Sequence, residues 1–311
     1  MPKRIAIGTD IGGSHICCAA VDLNTQAIID GTHSDEPVNN KAGAEEILSS
    51  WSRALLKSMS AIDRMDLRGI GFAMPGPFDY VNGIALFERV EKYESLYGAN
   101  IVKEMRTRLG VDDRVKFRFI NDATSFAIAE AWIGKARDFR RVVALTLGTG
   151  FGSAFLIGGI PVIEGDSVPG SGCVWHIPFR DGIADDYFST RWFVSRYETI
   201  TGKRVPGVKE IADVFDTDIA AQEVFQEYGA NMGEFLAPWL KQFDAEIIVI
   251  GGNVSAAFPY FGEVFSETLL KNGVGIEIRI SGMMENAAII GSSRLIEEDF
   301  WENVKGLLSK M

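Results

Sequence analysis

Apolar residues fall into two rhythms along the chain. Ile5–Ile11 and His15–Leu23 read as two strands around a glycine turn, and Gln26–Ser34 reads as a third. Ala42–Ser60 changes to helical spacing, with Ile47, Trp51, Ala54 and Leu55 on one side. Arg68–Met74 predicts a strand ending at Pro75-Gly76-Pro77, and Asn100–Leu109 a helix closed by Gly110. Val115–Ile120 predicts a strand that feeds the helix Ala123–Ile133, stopped by Gly134.

The opening pattern then returns about 140 residues later. Val142–Leu147, Gly148-Thr149-Gly150 and Phe151–Ile157 again read as strand, glycine turn and strand. A loop-rich stretch (Gly158–Asp181) and helices around Asp186–Gly202 and Asp218–Gln242 follow. The strand Glu246–Ile250 leads through Gly251-Gly252-Asn253 into a helix, then a strand Gly275–Ile280 and a last helix near Glu285–Leu308. A pattern that starts twice at this distance predicts two similar α/β lobes whose hairpin tips face one another across a cleft. The expected division is 1–120 and 121–291, with the last helix, about 292–311, folding back on the first lobe.

Composition narrows the possibilities. The 311 residues carry 31 Lys+Arg against 42 Asp+Glu, a formal charge of −11, which argues against a nucleic acid partner or an anionic membrane surface. No apolar run approaches the roughly 18 residues that span a bilayer. Three cysteines (Cys17, Cys18, Cys173) and three histidines (His15, His33, His176), without CxxC or HExxH, predict neither a disulfide framework nor structural zinc. The expectation is a soluble cytoplasmic protein.

Four short constellations follow strands. In Asp10-Ile11-Gly12-Gly13-Ser14, the glycines admit an anion to the backbone, Ser14 adds a hydroxyl donor and Asp10 is placed to hold Mg²⁺ through water; the same residues also suit an ordinary hairpin turn. Thr146-Leu147-Gly148-Thr149-Gly150-Phe151-Gly152 is richer in glycine than a hairpin requires, as a phosphate loop would be. Gly251-Gly252-Asn253 suits a nucleotide at a helix start, and is equally a common βα connection. Asp122, in Asn121-Asp122, is either a helix N-cap or a carboxylate that takes a proton from a substrate hydroxyl. Walker A, GxGxxG, HRD and GxSxG are all missing.

Taken together, these residues resemble the ROK sugar kinases of the actin/hexokinase-like ATPase superfamily over nearly the whole chain. Asp10-Ile11-Gly12-Gly13-Ser14-His15 is similar to the family's DIGGTK, Thr146–Gly152 to TLGTGVG, Asn121-Asp122-Ala123 to NDA, Ile250-Gly251-Gly252 to GGG and Pro75-Gly76-Pro77 to PGP. The resemblance implies a duplicated ribonuclease-H-like/actin-like ATPase fold with two lobes around a cleft. It implies phosphorylation of a hexose-like sugar, glucose by default, from ATP with Mg²⁺. Asp122 would be the general base, Asn121 and Gly76 would help hold the sugar, and the two hairpin tips would cradle the phosphates. It also implies a homodimer.

The sugar side departs from the family. Where GExGH is expected stands Gly172-Cys173-Val174-Trp175-His176, so His176 matches while Cys173 replaces the glutamate. The family's CxCGxxGCxE zinc motif falls on Pro178–Asp185 without its cysteines, and no zinc site is expected. Asp185, or Asp186 by a one-residue slip, would match its sugar-binding glutamate, a surface helix cap being the alternative for either. The family's asparagine before NLPGW is also missing, and the nearest stretch is Lys92–Tyr97. The alternative reading is a sugar-binding regulatory or catalytically weak ROK protein without a DNA-binding domain, and polyphosphate is an alternative donor.

Overall fold

In the first unit the opening apolar run forms strand β1 (Ile5–Ile11), turns at Gly12-Gly13 and returns antiparallel as β2 (His15–Asp22). The computed structural model describes residues 3–90 and 92–311. Past β2, the predicted third strand is two pieces, β3 (Ala27–Ile28) and β4 (Ser34–Pro37), both paired with β2. Gly31 takes a positive φ of 77° between them, and Thr32 donates its hydroxyl to Ile29 O, which bends the chain away from one continuous ladder.

Helix α1 (Ala44–Ser60) buries Ile47, Leu48, Trp51, Ala54 and Leu55 and packs against β2 and β4. Strand β5 (Leu67–Met74) runs parallel to β1. After the short hairpin β6 (Phe78–Asp79) and β7 (Ile84–Ala85) comes α2 (Ile101–Leu109), capped by the Asn100 side chain and closed by Gly110 at φ 60°. β8 (Lys116–Asn121) completes the sheet parallel to β5 and leads into α3 (Asp122–Trp132).

The C-terminal helix α9 (Asn286–Arg294) closes one face of this sheet, against β1 and β5, and also packs on α3. The approach is too close for side chains: a Cβ on Gly8 would lie 1.8 Å from Ile289 O, and one on Gly291 1.8 Å from Ser125 O. Ser292 Oγ accepts from Thr9 N at 3.1 Å, and Ser125 Oγ donates to Ala288 O at 2.7 Å. Because α3 is bound to α9 in this way, the first unit runs to Ile133 and resumes at Glu285, and the second is Gly134–Met284, instead of a division at 120/121 and 291/292. The predicted last helix is likewise two, α9 and α10 (Glu298–Val304), because the N–H groups of Leu295, Ile296 and Glu297 turn back three residues while Leu295 and Ile296 are buried.

The second unit repeats the plan with β9 (Arg141–Leu147), β10 (Phe151–Ile157), β11 (Ile160–Pro161), β14 (Ile247–Gly251) and β15 (Glu277–Ile280). Its sheet order β11-β10-β9-β14-β15 reproduces β3-β2-β1-β5-β8: in both, the third, second and first strands are antiparallel neighbours and the fourth and fifth join parallel. The hairpin β12 (Pro178–Phe179) and β13 (Gly182–Ile183) precedes α4 (Ala184–Phe188) and α5 (Thr190–Thr201), which are separated at extended Ser189 where the sequence predicts one helix. A short α6 (Val208–Ala212), absent from the sequence reading, comes before α7 (Ile219–Phe243) and α8 (Phe258–Lys271), which pack together. Aromatic rings fill this core, Phe188, Phe193, Phe225, Tyr228 and Phe261 among them.

Candidate active site

In the first unit the Gly12–Ser14 turn is held by its carbonyls. Tyr93 donates its hydroxyl to Gly12 O at 2.5 Å, Asn40 donates Nδ2 to Gly13 O, and Val38 N donates to Ser14 O at 2.8 Å. The N–H groups of Gly13 and Ser14 have no hydrogen-bond partner among the described residues, and both residues are exposed. A turn with its carbonyls tied to the protein and its N–H groups open is suited to an anion.

Asp10 is the penultimate residue of β1, beside this turn. Burial, then the negative charges of Asp122 and Glu285, push its carboxyl up to about 7. Such a site favours a cation, and a carboxylate oxygen is the hard donor that Mg²⁺ takes.

Asn121 and Asp122 lie at the junction of β8 and α3. The N-cap is Asn121, whose Oδ1 accepts from Thr124 N at 3.2 Å, so Asp122 is not needed for that task. Asp122 Oδ1 accepts from Ala123 N at 2.8 Å and from Asn121 Nδ2 at 2.9 Å, whereas Oδ2 has no hydrogen bond among the described residues. One oxygen fixes the carboxylate and the other is open. Gly76 is exposed in the loop after β5, where Tyr80 donates its hydroxyl to Met74 O at 3.0 Å. Near the Gly13 turn a cavity of about 390 Å³ is lined by Asn40, Lys41, Ala42, Lys92, Glu94 and Ser95.

The second unit repeats the turn chemistry at Gly148-Thr149-Gly150. Gly148 O accepts from Thr190 N at 2.8 Å and Thr190 Oγ1 at 2.9 Å, Thr149 O from Arg191 Nη1 at 3.0 Å, and Gly150 O from Gly148 N at 3.1 Å. The Thr149 and Gly150 N–H groups have no partner among the described residues. Thr146, on β9, lies opposite Gly152 and beside Gly251 of β14. At Gly252 φ is +82°, and a Cβ there would meet Leu147 O at 2.4 Å, so only glycine fits where β14 turns toward exposed Asn253.

Asp185 is engaged by this turn. Its Oδ1 accepts from Phe151 N at 2.6 Å and its Oδ2 from Arg191 Nη2 at 2.6 Å, so both oxygens brace the start of β10. Asp186 Oδ2 accepts from Ile183 N at 3.0 Å. Cys173 Sγ lies 3.8 Å from His176 Nδ1, and burial pushes its thiol up to about 11. The ring of Trp175, 47% exposed, stands edge-on to His176 at 5.3 Å. The hairpin that falls on the family's cysteine motif is held by Phe179, packed on Tyr187, Phe188 and Phe235, and by Arg180, which donates to Asn231 and Glu234.

Asp10, Gly12, Gly13, Ser14, Gly76, Asn121 and Asp122 thus belong to one unit, and Thr146, Gly148, Thr149, Gly150, His176, Asp185, Gly251, Gly252 and Asn253 to the other. Sequence reasoning missed Tyr93, Asn40, Arg191 and Glu285. Tyr93 stood in the stretch that departs from NLPGW; for the other three no local signal exists.

Two sheets that share one five-strand order, with β4 added only in the first, and that each open on a glycine-turn hairpin have the fold of the actin-like ATPases. The chain belongs to the ROK family, whose sequence model matches residues 6–299. The glucokinase of Thermotoga maritima is 25% identical, over 96% of this chain and 99% of that protein. The N-acetyl-D-glucosamine kinase of Haemophilus influenzae is 24% identical, over 84% and 88%. A crystal structure of a ROK family glucokinase from Streptomyces griseus in complex with glucose and AMPPNP is similar with a TM-score of 0.74, at 21% identity over 94% of this chain and 98% of that one.

Proposed function

We propose that this chain is a sugar kinase that transfers the γ-phosphoryl group of ATP to a hydroxyl of a hexose-like sugar. Relatives named glucokinase and N-acetyl-D-glucosamine kinase support the class, and glucose is the first acceptor to try. The observation that carries the mechanism is Asp122, with one oxygen pinned by Ala123 N and Asn121 Nδ2 and the other open.

In this reading Asp122 Oδ2 accepts the proton of the attacking hydroxyl. Gly12, Gly13 and Ser14 offer N–H and hydroxyl donors to phosphate oxygens, and Thr146, Gly148, Thr149 and Gly150 do so from the second hairpin. Gly251, Gly252 and Asn253 receive the nucleotide, while Gly76, Asn121 and His176 face the sugar. Asp10 would hold Mg²⁺ through water, and the ion when bound offsets phosphate charge. The active form is a cytoplasmic homodimer.

Asp185 is assigned a second role, bracing the Gly148–Gly150 turn, because both its oxygens are engaged there. With Cys173 in place of a glutamate, that engagement favours the alternative of a sugar-binding protein with weak turnover. A coupled ATP-consumption screen over hexoses, N-acetylhexosamines and their epimers separates the two. Turnover with one sugar supports the kinase; sugar and ATP binding without turnover across the panel overturns it.

A further inference from the structure

Strand β2 presents two different faces. Cys18 points to α1, its Sγ 3.3 Å from Ser58 Oγ, whereas Cys17, Ala19 and Val21 pack with Ile289 of α9 on the other face. His15 precedes Cys17 by two residues and therefore lies on the α9 face as well. The segment that enters α9 brings Glu285 to the same place: Cys17 Sγ donates to Glu285 Oε2 at 3.7 Å. Among the described residues, a donor atom of His15, the Cys17 sulfur and a carboxylate oxygen of Glu285 all lie within 4.8 Å of one another.

We propose that His15, Cys17 and Glu285 form a binding site for a thiophilic divalent cation, zinc by preference. A sulfur, an imidazole nitrogen and a carboxylate oxygen are the donor types that zinc takes, and three protein ligands leave a fourth position for water. Zinc bond lengths place tetrahedral donors about 3.5 Å apart; Cys17 Sγ and Glu285 Oε2, at 3.7 Å, already stand near that spacing, and His15 lies within 4.8 Å of both. Glu285 is exposed and His15 half-buried, so both can move toward Cys17, which is buried at the base and fixed by the sheet.

The charge pattern agrees. Asp10 and Asp35 stand directly opposite Cys17 on the two neighbouring strands, and Glu285 completes a ring of carboxylates around the sulfur. A divalent cation offsets these charges as it takes the place of the thiol proton, which is released to solvent. Ser14 Oγ lies 3.2 Å from His15 Nδ1 and orients the ring. The sequence predicted no zinc site because it offers no spaced cysteine motif; these ligands meet only when residue 285 returns to the first unit. The site adjoins Asp10, which pairs with Cys17 across the β1–β2 ladder, and differs from it in donor type: sulfur and nitrogen here, oxygen alone there.

The test uses the full-length, metal-free, reduced protein, titrated with Co²⁺ and then with Zn²⁺. One equivalent of Co²⁺ is expected to produce a thiolate-to-metal charge-transfer band in the near ultraviolet, which Zn²⁺ displaces. The band is lost in Cys17→Ala and kept in Cys18→Ala and Cys173→Ala. His15→Ala and Glu285→Gln weaken binding more than about 10-fold, the lower bound for losing even an outer partner of a metal ligand. Glu285 is exposed, so Glu285→Gln remains informative if Cys17→Ala does not fold. A wild-type titration without the band, a band that survives Cys17→Ala, or full affinity in Glu285→Gln overturns the proposal. None of these readouts depends on phosphoryl transfer, so the result stands apart from the kinase reading.

Discussion

The Tyr93 hydroxyl donates to Gly12 O at 2.5 Å, joining the stretch that replaces NLPGW to the first glycine turn. The Tyr93 ring is fully buried, edge-on to Trp51 at 5.5 Å and tilted on Phe87 at 5.6 Å, so the hydroxyl is aimed by a packed core. Burial pushes its phenol well above the ordinary range, which keeps it a neutral donor.

Tyr93→Phe keeps the ring and removes the bond. It is expected to lower stability by about 1 kcal/mol by denaturant unfolding. With the turn less constrained, KM for ATP rises more than KM for the sugar. An unchanged KM for ATP would separate Tyr93 from phosphate binding.

Asp122→Asn is expected to lower kcat by at least about 100-fold while the melting temperature stays close to that of the wild type. Its Oδ1 contacts survive in the amide, so the loss reports on the open oxygen. Near-normal turnover would refute the base assignment.

Asp10 sets a pH dependence in the metal-free protein. Its carboxyl is raised to about 7 from an unfolded value near 3.8, so the native state holds the proton over that interval and the unfolded state does not. Stability therefore falls as pH rises from about 4 to 7, by up to about 4 kcal/mol. Asp10→Asn should flatten this slope and be more stable than wild type at pH 8 in equilibrium unfolding. A parallel pH profile in the variant would sink this reading.

Asp185→Asn discriminates between two assignments of one residue. If the carboxylate braces the Gly148–Gly150 turn, the variant raises KM for ATP; if it holds sugar, the acceptor KM rises instead. Steady-state kinetics in both substrates decide, and Arg191→Ala should follow the first pattern because Arg191 bonds both Asp185 and Thr149 O.

Gly8→Ala tests the seating of α9. A Cβ 1.8 Å from Ile289 O forces the helix off β1, and a loss of about 3 kcal/mol or more is expected by denaturant unfolding. Exposed Gly43, with no atom near its Cβ, serves as the matched control.

Legibility followed the range of the interactions. The hairpins at Gly12 and Gly148 and the Asn121-Asp122 junction were readable because strand alternation, glycine turns and a strand-to-helix switch are local. Ser189, which divides α4 from α5, breaks no composition rule, and β3 and β4 part at a Gly31 turn that a propensity reading passes over. The capping role went to Asn121 instead of Asp122, a one-residue choice that only backbone geometry decides. Asp185 aligned with a sugar ligand, yet Phe151 N and Arg191 take both its oxygens, and neither contact leaves a trace in the linear pattern.

The return of residues 285–311 has a consequence for how the chain is made. Gly134–Met284 is one continuous segment whose sheet and helices are all present once Met284 has been synthesised. The earlier-made unit must wait, since one layer over β1 and β5 is supplied by Ile289 and Ser292. On the ribosome, the portion translated second is thus the first able to reach its finished form, and the glycine-lined face of the other stays bare until the last helices emerge.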